Sequence, residues 1–139
     1  MIDNIAHPFT EKHILILGFG IEGQSSFRFF RKYMPEARIG IYDTRPLASF
    51  IPEVQELVFQ DPAVVLHMGK GVSDVDIDTY DVLVRSPGVV WDTTNFKGIV
   101  TSQTQLFLER FRDKTIGLTG TKRKSTTSSL IYQMLKKSG

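Results

Sequence analysis

Along this chain, short apolar runs alternate with longer stretches that are apolar on one side only, the pattern of strands alternating with helices. After His13, Ile14-Leu15-Ile16-Leu17 is uninterrupted, as expected of a strand covered on both faces. Residues 21–34 change to helical spacing. Gly23, Phe27, Phe30 and Met34 share one stripe, and Arg28, Arg31 and Lys32 lie off it. Pro35 then ends the helix, since its ring and missing N–H do not fit a helix interior. Arg38-Ile39-Gly40-Ile41-Tyr42 predicts a second strand closed by the turn Asp43-Thr44-Arg45-Pro46, and residues 54–59 a short helix. Residues 63–67, 81–85 and 99–101 predict three more strands. Ser102 is placed to cap a helix that carries Leu106, Phe107 and Phe111 inward. Residues 115–119 predict a sixth strand, followed by a basic loop and a last helix reaching about Lys137, with Ser138-Gly139 as its C-cap.

This alternation predicts an α/β fold, a Rossmann-like and mostly parallel sheet with helices on both faces. A boundary near Asp113-Lys114 divides the chain into a first unit, 1–113, and the strand–loop–helix start of a second, 114–139. The chain stops where that second unit would need another strand. Composition narrows the function classes. At 139 residues, 41% hydrophobic and 23% charged, the chain can bury a core and does not read as disordered. The 17 basic residues are interspersed with 15 acidic ones, so the net charge of +2 gives no reason to expect a nucleic-acid partner. Without cysteine there is no disulfide, thiolate metal site or thiol nucleophile. No apolar run approaches the roughly 18 residues of a membrane span, and the first residues lack the form of a signal peptide. The expectation is a cytoplasmic chain with no membrane partner.

Four stations carry candidate chemistry. Gly18-Phe19-Gly20-Ile21-Glu22-Gly23 fits G-x-G-x-x-G between a strand and a helix. There Gly18 permits a tight turn, Gly20 admits a phosphate to the backbone, and Gly23 lets the helix pack close. Open N–H groups at the helix start favour an anion. Asp43-Thr44-Arg45 ends the second strand, where an acidic residue can accept from a ribose and an arginine can hold a phosphate or stack on a base. The same residues also make an ordinary polar turn, with Asp43 binding its own backbone. Ser86-Pro87-Gly88 follows the fourth strand at the same edge and is equally an ordinary turn. Gly120-Thr121-Lys122-Arg123-Lys124-Ser125-Thr126 lies between strand and helix and supplies the lysine and hydroxyl of a phosphate loop, with Arg123 where that loop wants glycine. His7, His13 and His67 share no metal-ligand spacing.

In this order and spacing the four stations resemble the N-terminal part of the Mur ligases. The resemblance spans nearly all of this chain and about the first third of such an enzyme. It implies that the first domain holds the UDP part of UDP-MurNAc-L-alanine. Ile21 and Glu22, with Gly18, Gly20 and Gly23 shaping the turn, would meet the diphosphate. Thr44 and Arg45 would lie at the uracil end, with Asp43 among the residues that bind the UDP-sugar, and Ser86, Pro87 and Gly88 beside the substrate. Gly120 to Thr126 would form the ATP loop of the central domain, with Lys124 on the β/γ-phosphates and Ser125 toward magnesium. In the family this loop usually reads G-T-x-G-K-[ST], and here Arg123 replaces its second glycine. The resemblance implies ATP and Mg2+ as cofactors, UDP-MurNAc-L-alanine and D-glutamate as partners, and a reaction that joins them through an acyl phosphate. It places no catalytic residue within these 139 residues and so expects the piece alone to be inactive, and the apolar faces of residues 115–139, which the central domain covers in the family, make self-association a further expectation. Two other classes stay open: a nicotinamide- or flavin-binding oxidoreductase domain, and a non-catalytic nucleotide-binding module. The phosphate loop weighs against a nicotinamide cofactor.

Overall fold

The computed structural model describes residues 7–138; the leader at residues 1–6 and Gly139 of the C-cap lie outside the described residues. The first apolar run is β1 (Ile14–Leu17), followed by α1 (Ile21–Tyr33), β2 (Ile39–Asp43) and α2 (Pro52–Phe59). Then come β3 (Val64–Met68), β4 (Val82–Arg85), β5 (Ile99–Thr101), α3 (Gln103–Phe111) and α4 (Lys124–Lys137). The five strands are parallel, in the order β3-β2-β1-β4-β5. β1 is central, with Ile14 in register with Ile39 on one side and Val82 on the other. The α/β, Rossmann-like expectation holds.

Side-chain alternation divides the core in two. Ile14, Ile16, Ile39, Ile41, Val82 and Val84 face one side and pack with Phe27 and Phe30 of α1, Val54 and Val58 of α2, and Leu106 of α3. Leu15, Leu17, Tyr42 and Leu83 face the other side, under Val75, Ile77, Tyr80, Val89, Trp91 and Phe96. These covering residues come from 3-10 turns and loops, so the α-helices that pack on the sheet gather on one face rather than two. Physically, the β3–β4 and β4–β5 connections are rich in glycine, aspartate, proline and β-branched residues, which favour turns over helix. Ser102 caps α3 as predicted, accepting from the Gln105 N–H. Leu106 and Phe111 are half-buried, while Phe107 stays 50% exposed. Arg31, off the apolar stripe, bonds the Asp61 carboxylate and the Pro35 and Ala37 carbonyls, tying the end of α1 to the turn before β3.

Residues 115–119 form no strand. Their alternating apolar residues suit a sheet, but a strand exists only with a hydrogen-bonding neighbour, and the sheet ends at β5. Ile116 is 70% exposed, and on α4 Leu130, Met134 and Leu135 are exposed as well. The Ser138 N–H closes α4 on the Met134 and Leu135 carbonyls. Residues 115–138 should therefore exchange amide hydrogens much faster than β1 in monomeric protein, because little burial opposes their opening. Protection there equal to that of β1 in a monomer would show a packing partner that this arrangement lacks, whereas protection accompanied by dimerisation would mean a second copy covers them.

Candidate functional site

The strand order reverses between β1 and β4, the place where an open parallel sheet leaves a crevice at its carboxyl edge. A cleft of about 500 Å³ lies there. Gly18, Gly20, Ile21 and Glu22 line it from the first loop, Asp43, Thr44 and Arg45 from the second, and Ser86, Pro87 and Gly88 from the third. Three of the four stations thus converge in one place. Gly23 is buried below the cleft, where it permits α1 to start against the turn: a Cβ there would lie 2.0 Å from the Gly18 carbonyl oxygen. Gly18 has φ +90°, and a Cβ on it would meet Val89 at 2.7 Å. The surroundings of Gly20 are open, with nothing within 4 Å of an added Cβ. Gly20 is also the N-cap of α1 and offers no side chain to the first N–H groups, which remain available to an anion.

Asp43 organises the second loop. It is 6% exposed, and both its oxygens are engaged twice. Oδ2 accepts the Phe19 N–H at 2.8 Å and Arg45 Nη2 at 2.9 Å; Oδ1 accepts the Arg45 N–H and Nε, both at 2.9 Å. A carboxylate has about four acceptor positions, so none is left for a ribose hydroxyl. Burial alone would raise the Asp43 carboxyl, but the bonds from Arg45 and Phe19 together with the Arg45 charge outweigh it and hold the group below its usual 3.8. Ser86 is also committed: its hydroxyl donates to the Gly18 carbonyl at 3.2 Å. Thr44 and Arg45 are exposed to the cleft.

Tyr42, Val72, Val89 and Val90 complete the lining. Sequence reasoning missed all four. Tyr42, Val89 and Val90 adjoin recognised stations, so their neighbourhood was a usable signal; Val72 belongs to a 3-10 turn after β3 and had none. Tyr42 is buried edge-on against Trp91, with ring centroids 4.8 Å apart. Burial, then the Asp43 and Asp74 charges, push its phenol up and keep it protonated.

The fourth station stands apart. No residue from 120 to 126 lines the cleft, and all are exposed. The loop nonetheless takes a sharp turn into α4. Arg123 sits in the left-handed region at φ 63°, ψ 16°, and the Lys124 ammonium donates to the Gly120 carbonyl. A glycine fits such a backbone position without the roughly 1 kcal/mol that a side chain costs there.

The lowered Asp43 carboxyl gives a pH test. A carboxylate whose folded value lies below its unfolded one stabilises the fold above the unfolded value and loses that contribution as pH falls through the folded one. Asp43→Asn should cost about 2–4 kcal/mol near neutral pH. In urea denaturation the gap from the parent should narrow below about pH 4. A gap of constant size would mean that the charge is not what matters.

The sequence model of the family described as Mur ligase MurD-like, N-terminal domain matches residues 12–107. Among curated relatives, the UDP-N-acetylmuramoylalanine--D-glutamate ligase of Clostridium botulinum strain Hall is 28% identical over 137 residues, covering 92% of this chain and 28% of the relative. The enzyme of the same name from Vibrio vulnificus is 28% identical over 134 residues, covering 92% of this chain and 29% of the relative. The chain thus spans under a third of the length of these relatives. No solved structure matches it. The family match runs from the residues before β1 into α3 and takes in all three loops of the cleft: this chain belongs to the Mur ligase family, with a MurD-like N-terminal domain.

Proposed function

We propose that the cleft binds the UDP end of UDP-MurNAc-L-alanine, as the first domain of a cytoplasmic, ATP-dependent ligase that adds D-glutamate to it in peptidoglycan synthesis. The observation that carries this reading is the convergence of three distant loops on one crevice in a chain of this family. The N–H groups of Ile21 and Glu22 at the start of α1 would hold the diphosphate, with Gly20 leaving the approach open. Thr44 and the exposed guanidinium of Arg45 would meet the uracil, and the Ser86-Pro87-Gly88 turn would lie beside the sugar. The saturated carboxylate of Asp43 disfavours the nicotinamide reading, which needs that group on a ribose.

Residues 120–126 would be the ATP loop. Lys124 would reach the β/γ-phosphates, Ser125 would approach magnesium, and Thr121, Lys122 and Thr126 would complete the loop. The left-handed turn at Arg123 and the inward-folded Lys124 suit a phosphate cradle. ATP would supply the phosphoryl group that activates the substrate carboxylate toward the D-glutamate amine. The contribution of this chain to that step is positioning and charge neutralisation. With the acceptor seat outside these residues, the 139-residue chain alone should release no ADP in response to D-glutamate and UDP-MurNAc-L-alanine.

In calorimetry the chain should bind UDP, and NAD more weakly or not at all; NAD binding well ahead of UDP would overturn the assignment. Arg45→Ala should weaken UDP binding by about 1–3 kcal/mol through loss of a charge-assisted contact. Arg123→Gly, made in the full-length ligase, should tighten magnesium–ATP binding, because it removes both the left-handed strain and a bulky side chain from the cradle. Equal or tighter binding by the arginine form would mean that the loop serves a different ligand geometry.

A further inference from the structure

A closed circuit of contacts joins the two ends of the cleft. The Phe19 N–H, in the glycine turn, donates to Asp43. Asp43 grips the Arg45 guanidinium through Nε and Nη2. That guanidinium lies over the Phe50 ring, 4.3 Å from its centroid. The Phe50 ring packs in turn on the Phe19 ring, with centroids 6.0 Å apart. Phe19, Asp43 and Phe50 are buried, whereas the Arg45 side chain is 54% exposed. One planar, charged group is therefore held from below by an aromatic ring and along its edge by a carboxylate, with its other side open to the cleft.

A free arginine samples many rotamers, and a ligand that used it would have to order it first. Here the bidentate pair fixes the fork and the ring fixes the plane. The same carboxylate also bonds the turn whose helix start would seat the diphosphate. The plane and the anion seat are thus set relative to each other before any ligand arrives.

We propose that Asp43 and Phe50 are positioning residues for base recognition: through Arg45 and the glycine turn they fix the spacing at which the cleft takes a planar base and its diphosphate. The proposal rests on the cleft taking a UDP-bearing ligand, and it assigns a role to Phe50, which lies outside every recognised motif. Asp43 acts in it through Arg45 and Phe19.

The test compares UDP with inorganic pyrophosphate, which has the anion and lacks the base, by calorimetry on the full chain. Phe50→Leu keeps most of the apolar volume and removes the ring. It should lower UDP affinity about three- to tenfold and leave pyrophosphate affinity unchanged. Arg45→Lys keeps the charge and removes the plane, and should give the same split even if Phe50→Leu does not fold. Emission of the single tryptophan, Trp91, reports folding of each variant. Equal losses for both ligands would reduce Phe50 to general packing, and no loss for UDP would remove the guanidinium plane from recognition; either result overturns the proposal. Failure of the parent chain to bind UDP at all would instead strike the functional reading beneath it.

Discussion

Four hydrogen bonds to one buried carboxylate hold this site in shape. Asp43 ends β2 with its side chain directed into the carboxyl edge of the sheet, where it binds the turn after β1 and the arginine of its own loop. An unpaired charge at that depth would cost several kcal/mol, so pairing with Arg45 is a condition of its being there. Once paired, the carboxylate cannot serve as a ligand group. It converts two loops that adjacent strands merely bring near each other into one rigid wall.

The rest of the fold supplies that wall with its position. Parallel strands in the order β3-β2-β1-β4-β5 bring the ends of β1, β2 and β4 side by side, and the glycine turn between β1 and α1 leaves helix N–H groups facing the gap. Packing α1, α2 and α3 on one face leaves the other to turns and loops. Val72, Val89 and Val90 reach the cleft from those loops, so the thinly covered face also contributes to the lining. The loops that replace helices there extend the pocket wall.

Local backbone demands explain why much of the site was legible in the sequence. Gly18 needs a positive φ and Gly23 has a carbonyl where a Cβ would be, so glycine at these positions carries information by itself. Ser102 at the start of α3 is legible for the same reason, since a cap is a local requirement. Features set by distant partners were not legible. That Asp43 is saturated follows from the turn at Phe19 and the rotamer of Arg45, neither of which has a sequence signature. Phe50 carries no local signature that separates it from the other phenylalanines, and its place under Arg45 depends on how the 3-10 turn Leu47–Ser49 folds back. Residues 115–119 have strand-like alternation, but pairing is a property of the neighbour and not of the segment. Strand alternation gives the number of crossovers and not what they are made of, so the 3-10 turns and loops over the second face had no signature of their own.

The central claim is that one preformed cleft, braced by Asp43, takes the nucleotide end of the ligand. Amide chemical shifts of the full chain, followed during a titration with UDP, test it most directly. The account predicts that Gly20, Ile21, Glu22, Thr44, Arg45, Ser86 and Gly88 shift together along a single binding curve, while the Phe19 amide stays protected from exchange because its bond to Asp43 persists. Shifts confined to residues 120–126, or loss of Phe19 protection on binding, would contradict it.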